Sequence, residues 1–276
     1  MPAKPRQRQN AIVLVGAGRM GTALLKGWIA SKLAPIVVIE PQPQPELRRL
    51  ARAKRIGLLT HLGDIDARRA AVCVVAVKPQ VLKTEAARLS AFADSGALIV
   101  SIAAGTSTAA FVRACGPRTR IIRAMPNLPG AIGKGISALY AGRGAKRADR
   151  AKAEALLAAL GDTVWVKEEA MIDTVTAVSG SGPAYVFLLV EALARAAEAE
   201  GLSPQLAMRL ARATIVGAGA LLDEDKRDAS ELRRAVTSPG GTTEAALGIL
   251  MGDEALTKLI GQAVAAARRR AGELSD

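Results

Sequence analysis

Directly after the apolar run Ala11–Val15 come six residues with a recognisable chemistry, Gly16-Ala17-Gly18-Arg19-Met20-Gly21, and a helical pattern opens at Arg19. Glycines at this spacing, between a strand and a helix, form a cradle for a diphosphate. Gly16 allows the tight turn, Gly18 lets the anion approach the backbone, and Gly21 lets the helix pack closely on the strand. The N–H groups and dipole of the helix start, at Arg19 and Met20, supply the positive potential. Glu40 closes the next apolar run. An acidic side chain there accepts hydrogen bonds from ribose hydroxyls and repels a 2′-phosphate, so Glu40 leans towards NADH over NADPH. Gln42, Arg48 and Arg49 lie just beyond, and arginines there would suit a 2′-phosphate.

Further candidates follow later apolar runs. Ala76-Val77-Lys78-Pro79, Ala103-Ala104-Gly105 and Met125-Pro126-Asn127 all stand at the carboxyl ends of expected strands, the edge where an open α/β sheet binds its ligand. Lys78 suits a phosphate or ribose hydroxyl, or is a solvated loop lysine. The small residues from Ala103 to Gly105 would admit a flat nicotinamide ring. Asn127 is either a site amide or a turn former. Two turns in the second half, Ser179-Gly180-Ser181-Gly182-Pro183 and Ser238-Pro239-Gly240-Gly241-Thr242-Thr243, each precede a helix. Glycines, hydroxyls and a helix N-terminus together suit a carboxylate, although plain helix capping uses the same residue types.

The elements that must position these residues alternate in the first half. Strands are expected at Ala11–Val15, Ile36–Glu40, Ala71–Val77, Ala97–Ile102, Ile121–Ala124, Gly135–Tyr140 and Thr163–Val166. Helices are expected at Arg19–Ser31, Glu46–Arg55, Val81–Ala91 and Thr108–Ala114. This is the pattern of a doubly wound α/β sheet, with helices on both faces. From Glu168 onward the periodicity is helical throughout, at Ala170–Val178, Ala184–Glu200, Pro204–Leu222, Glu231–Val236, Thr243–Leu250 and Glu254–Glu273. A boundary near residue 167 separates a dinucleotide-binding domain, 1–167, from a helical domain, 168–276. The stretch Leu206–Leu222 is apolar on most faces, including Ala213, Ile215, Val216, Ala218 and Leu221, so it must be covered on several sides. Interleaving with a second copy in a homodimer satisfies it; a place at the centre of its own bundle is the alternative.

Composition narrows the classes. A net charge of +13 suggests an anionic partner, and it is uneven: residues 1–167 hold 27 Lys/Arg against 9 Asp/Glu, the remainder 11 against 16. The excess cations therefore accompany the glycine fingerprint. A nucleic-acid binder using Lys4, Arg6, Arg8 and Arg268 to Arg270 would interleave stacking aromatics, and none stands there. The longest unbroken apolar run, Ala70–Val77, is short for a membrane span, and Met1–Asn10 is polar rather than a signal peptide. Cys73 and Cys115 form no disulfide framework or ligand spacing, and His61 is the one histidine, so no metal is expected. A soluble, cytoplasmic protein that binds neither membrane nor nucleic acid is the expectation.

The motifs taken together resemble one family. Val236-Thr237-Ser238-Pro239-Gly240-Gly241-Thr242-Thr243-Glu244-Ala245 is similar to the signature of pyrroline-5-carboxylate reductases. Val178-Ser179-Gly180-Ser181-Gly182-Pro183-Ala184-Tyr185, Arg123-Ala124-Met125-Pro126-Asn127, Ala76-Val77-Lys78-Pro79 and the fingerprint follow the family's order, from Ile12 to about Gly272. The resemblance implies an N-terminal Rossmann-type sheet followed by an all-helical dimerisation domain, and often a ring of dimers. It implies reduction of 1-pyrroline-5-carboxylate to L-proline with NADPH or NADH. It sets the substrate against Val236, Ser238, Gly241, Thr242 and Thr243, with Thr243 matching the threonine that hydrogen-bonds the ring nitrogen. Asp228-Ala229 stands where the family often has His-Pro, and Lys226 or Arg227 where some members carry glutamate, so no acidic catalytic residue is expected. The mechanism expected is Ser238 and glycine N–H groups on the carboxylate, with Thr243 serving the nitrogen. Another imine reductase or a 3-hydroxyacid dehydrogenase is the rival. The latter class uses a lysine on the helix after a Gly-rich turn, and the helix after Pro183 has none.

Overall fold

The computed structural model describes residues 10–33 and 35–274 of the 276. The cationic Lys4, Arg6 and Arg8 lie outside the described residues. Backbone contacts group the chain into two compact units, one running to Gly180 and joined by the final turns from Arg268, the other Ser181–Ala267.

The first unit is built on an eight-stranded sheet. Its strands are β1 (Ala11–Val15), β2 (Ile36–Ile39), β3 (Gly57–Leu59), β4 (Ala70–Val75), β5 (Leu98–Ser101), β6 (Arg120–Met125), β7 (Gly135–Ala141) and β8 (Gly161–Trp165). Their spatial order is β3-β2-β1-β4-β5-β6-β7-β8. Every pairing is parallel except β6 with β7, a reversal that the apolar runs alone do not foretell. Physically, β7 follows β6 through a short turn, Leu128–Ile132, and no crossover helix intervenes, so the chain can only return antiparallel.

The central strands are apolar continuously because both faces are covered. Leu14, Val74 and Val100 point to one face, where they meet Leu24, Leu25 and Trp28 of helix α1 (Arg19–Ala30) and Leu156 and Leu157 of α5 (Arg147–Leu157). Val13, Cys73 and Ile99 point to the other, against Leu89 and Phe92 of α3 (Pro79–Ser95) and Phe111 of α4 (Thr108–Cys115). Helix α2 (Pro45–Arg52) contributes only Leu47 to the buried set. Two elements, β3 and α5, are additions to the expected set. The first has three residues, too few for a periodicity. The second is rich in charge, and only Asp149, Ala153, Leu156 and Leu157 are buried.

The structural division falls beyond the expected boundary at 167. Helix α6 (Met171–Val175) and the π-turn after it pack with the sheet unit, where Ile172 and Ala177 are buried and Arg123 pairs with both Glu169 and Asp173.

The second unit is helical: α7 (Gly182–Ala199), α8 (Pro204–Glu224), α9 (Ala229–Ala235), α10 (Thr242–Met251) and most of α11 (Ala255–Glu273). Its buried centre consists of Ala194, Ala207 and Ala211, where α7 meets α8. Small side chains bring these helices close but bury little area. Within one chain α8 is not the centre of a bundle; Val216 is 72% exposed and Leu221 58%.

Trp28 ties α1 to α5: its ring is fully buried and Nε1–H donates to the Leu156 carbonyl at 2.8 Å. Trp28→Phe keeps most of the bulk and removes the donor, and should cost about 1–3 kcal/mol in a urea titration. Trp28→Ala adds a cavity and should cost about 3–5 kcal/mol.

Candidate functional site

The fingerprint turn has a dihedral or steric reason for two of its three glycines. Gly16 sits at φ +90°, which favours glycine, and a β-carbon there would lie 2.7 Å from Val77 Cγ1 and 2.8 Å from the Ala76 carbonyl oxygen. At Gly21 a β-carbon would run into the Gly16 carbonyl oxygen. Gly18 differs from both: nothing lies within 4 Å of where its β-carbon would stand. That open side is where the backbone can be approached.

Helix α1 begins at Gly18 with no side-chain cap and no acidic residue in its first turn. Some other helices carry a serine cap, Ser107 on α4 through the Ala110 N–H and Ser203 on α8 through the Leu206 N–H, whereas α1 shares its uncapped start with α2, α3, α7 and α10. An uncapped helix start beside an open glycine offers its N–H groups to an exogenous anion. The residues therefore fit a dinucleotide, with Gly16, Gly18, Arg19, Met20 and Gly21 around its diphosphate. Arg19 is exposed and Met20 half-buried.

Glu40 stands one residue past β2, and its carboxylate is fixed on both oxygens. Oε2 accepts the Ala17 N–H at 2.8 Å, and Oε1 accepts the Gln42 N–H at 3.1 Å. A negative charge is thus held against the fingerprint turn. Of the two arginines beyond, Arg48 donates through Nε to the Pro43 carbonyl at 3.0 Å.

The remaining expected residues lie at the carboxyl ends of β4, β5 and β6. β4 ends at Val75, short of the expected Val77, because Ala76 and Val77 turn across Gly16, with the Ala76 N–H donating to the Val15 carbonyl. Lys78 is exposed at the N-cap of α3, and Pro79 opens that helix. After β5, Ala103 is buried and Ala104 exposed, while Gly105 is at φ +67° with the Leu274 carbonyl oxygen packed where a β-carbon would go. Asn127 serves the fold through its oxygen, since Oδ1 accepts the Ile136 N–H at 3.0 Å and pins the start of β7.

In the helical unit the signature turn leads into α10. Gly241 N–H donates to the Ser238 carbonyl at 3.0 Å, and Gly240 N–H donates to Glu244 Oε2 at 2.7 Å. Both glycine amides are therefore taken up inside the turn, which departs from the expectation that they hold a carboxylate. What the turn leaves open is the start of α10 at Thr242 and Thr243, which has no side-chain cap, with Ser238 exposed and Thr243 half-buried beside it. Val236 is 66% exposed just before it. Glu244 is a structural partner absent from the expected set. A signal for it exists in the sequence: an acidic residue four positions beyond a glycine, on the first turn of a helix, can fold back onto that glycine's N–H. Asp228, in the place of His-Pro, serves as the N-cap of α9, its N–H donating to Glu231 Oε2 at 3.1 Å.

A second group that spacing does not reveal surrounds Glu169. One of its oxygens accepts the Thr108 N–H and the other the Thr108 hydroxyl, both at 2.7 Å, and Arg123 lies 3.1 Å from the first. The cysteines play no comparable part. Burial pushes the Cys115 thiol up to about 11 and the Cys73 thiol further still, and a thiol held protonated is a poor nucleophile or metal ligand.

Known proteins share these features. Residues 169–274 match the family described as Pyrroline-5-carboxylate reductase dimerisation, and residues 11–105 match NADP oxidoreductase coenzyme F420-dependent. A pyrroline-5-carboxylate reductase of Pseudomonas aeruginosa is 38% identical over 266 residues, 96% of this chain and 97% of that protein. The structure of a pyrroline-5-carboxylate reductase from Coxiella burnetii superposes with a TM-score of 0.89 at 34% identity, covering 98% of this chain and 100% of that one. The fold is shared with the Plasmodium falciparum pyrroline carboxylate reductase structure, solved with NADP bound, at a TM-score of 0.79 and 24% identity over 97% and 98% of the two chains.

The contrast between two glycines gives a direct test. Gly18→Ala meets open space, so it should fold with a thermal midpoint within about 2 °C of the parent yet weaken dinucleotide binding about tenfold or more, read by calorimetric titration. Gly21→Ala must displace the turn itself and should lower the midpoint as well.

Proposed function

The chain belongs to the pyrroline-5-carboxylate reductase family, and from that premise we propose how its own residues divide the work. The activity is the family's: an NAD(P)H-dependent oxidoreductase that reduces the imine of 1-pyrroline-5-carboxylate to give L-proline. A bound NAD(P)H supplies the hydride. Everything else the protein must do is bind, orient and manage one proton, which backbone amides and hydroxyls are able to do.

On the cofactor side, Gly16, Gly18, Arg19, Met20 and Gly21 hold the diphosphate. Ala76 to Pro79 and Ala103 to Gly105 flank the rest, with Lys78 near a ribose or phosphate and the small residues admitting the nicotinamide. Asn127 contributes its remaining amide N–H groups. Glu40 makes NADH the preferred donor. The observation that carries this preference is the fixed carboxylate, held by the Ala17 and Gln42 N–H groups beside the fingerprint turn. A 2′-phosphate there would meet a negative charge that cannot swing away without losing two hydrogen bonds.

On the substrate side, Ser238 and the N–H groups at the uncapped start of α10 receive the carboxylate, and Val236, Gly241 and Thr242 line the ring. The internal bonds of Gly240 and Gly241 support a preformed turn and leave the anion to the helix start. Thr243 directs its hydroxyl to the ring nitrogen. The imine nitrogen takes up its proton from water or through Thr243, and the ring carbon accepts the hydride. The C=N π electrons then become the lone pair of the secondary amine. No covalent enzyme adduct and no metal are required.

The helical unit is the proposed homodimer interface, with a ring of dimers as the larger assembly. Phe187, Leu188 and Leu189 on α7, Val216 and Leu221 on α8, and Leu259 on α11 are each at least half exposed in one chain. The stretch Met171–Ala199 reaches a mean hydropathy of 1.4 and, by length and composition, the measure of a membrane-crossing helix. Cover by a second copy explains that apolarity, and the proposed setting is the cytoplasm.

Oxidation of NADH and NADPH, assayed side by side with pyrroline-5-carboxylate, tests these assignments. Turnover with NADH at the higher kcat/KM is expected, and no turnover with either would overturn the functional reading. Glu40→Ser should move the NADH/NADPH ratio of kcat/KM about tenfold towards NADPH, equivalent to about 1.4 kcal/mol. Thr243→Val, which keeps the shape and removes the hydroxyl, should lower kcat/KM about tenfold or more.

A further inference from the structure

The loop between β5 and α4 carries Ala103, Ala104 and Gly105, and its far end is tied directly to one remote carboxylate. At the far end, Thr108 opens α4. Glu169 takes its N–H and its hydroxyl, one on each oxygen, at 2.7 Å. The Thr108 N–H belongs to the first turn of α4, where it has no partner in its own helix; Glu169 supplies a charged one, at the end where the helix dipole favours an anion. At the near end, Arg123 of β6 stands in register opposite Ser101, the last residue of β5, and the Ser101 hydroxyl accepts the Ala103 N–H at 3.2 Å. Arg123 lies 3.1 Å from the same Glu169 oxygen and 3.7 Å from Asp173.

The arginine side chain is only 5% exposed. Its buried charge is paired with those two carboxylates, and a buried cation that loses a partner destabilises what surrounds it. One glutamate therefore connects β6, the strand paired with β5, to the start of the helix that follows the loop. The span left between these anchors is Ile102 to Ser107. It contains Gly105 at positive φ, a residue with wide conformational freedom when it is not held.

We infer that Glu169, acting through Thr108 and Arg123, is a positioning residue that fixes the Ala103–Gly105 loop against the hydride-donating ring. The inference rests on the proposed placement of the nicotinamide at that loop. Its signature is kinetic: a small displacement at the reacting centre costs rate out of proportion to binding, with about 1 Å worth up to about a hundredfold. A loosened loop should therefore lower kcat while leaving the site of the imine substrate untouched.

Two variants probe the clamp without emptying it. Thr108→Val removes the hydroxyl and keeps the N–H and the Arg123 pair; Glu169→Gln keeps the shape and removes the charge. Expected is a fall in kcat of about threefold to tenfold for Thr108→Val and more for Glu169→Gln, with KM for pyrroline-5-carboxylate within about twofold of the parent. Thr108→Ser, which restores the hydroxyl, should recover the rate. Ala104→Leu tests the premise separately, since it adds bulk at an exposed loop position away from the clamp. Unchanged cofactor KM and kcat in Ala104→Leu would overturn the placement of the nicotinamide, and the inference with it. A clear effect there, but parental kcat in both clamp variants, would overturn the positioning role alone. A lowered thermal midpoint with parental kcat and KM would do the same, because it would make the network a matter of folding only.

Discussion

A close backbone approach at the fingerprint turn is the constraint on which the rest depends. Strand β1, the start of α1 and the segment Ala76–Val77 meet at Gly16 and Gly21 with no room for a β-carbon at either. That contact fixes the angle at which α1 leaves the sheet. It also leaves the first N–H groups of the helix facing out beside Gly18, where space is open. Trp28, further along the same helix, is locked against α5, so the cradle is held from behind as well as from below. The donors are already in place there, so the proposed binding of a diphosphate would leave little ordering to be done.

Much of this is legible in the residues. The glycine spacing, the apolar runs and the helical periodicity after Glu168 carry local information, because each reports on neighbours in sequence. The carboxyl-edge segments can be found for the same reason, since a strand's end is a local event. Antiparallel β7 is not legible: strand direction depends on what the connection allows, and the run Gly135–Ala141 reads alike in either sense. Helix α5 is hidden by its charge, as only a narrow stripe of it turns inward.

The partners that folding brings together from afar are the least visible. Glu169 and Thr108 are separated in sequence by the rest of α4 and the whole of β6, β7, α5 and β8, and nothing in either one's neighbourhood marks the other. Asn127 can be read in two ways from its position, and the structure assigns its oxygen to the start of β7. In the signature turn, the glycines suggest free amides, but an acidic side chain within reach has already claimed one of them. Residue types tell which groups are present; geometry tells which are already engaged.

The helical unit raises a different matter. Its own buried centre amounts to three alanines, and many of the large aliphatic side chains of α7, α8 and α11 face outward. Little of the free energy needed to hold these helices together can come from inside a single chain. In the proposed homodimer a second copy covers these outer faces, and by mass action its contribution would grow with protein concentration. For the proposed assembly, melting temperature would be a property of the solution as much as of the chain, and dilution would act on it as a mild denaturant does.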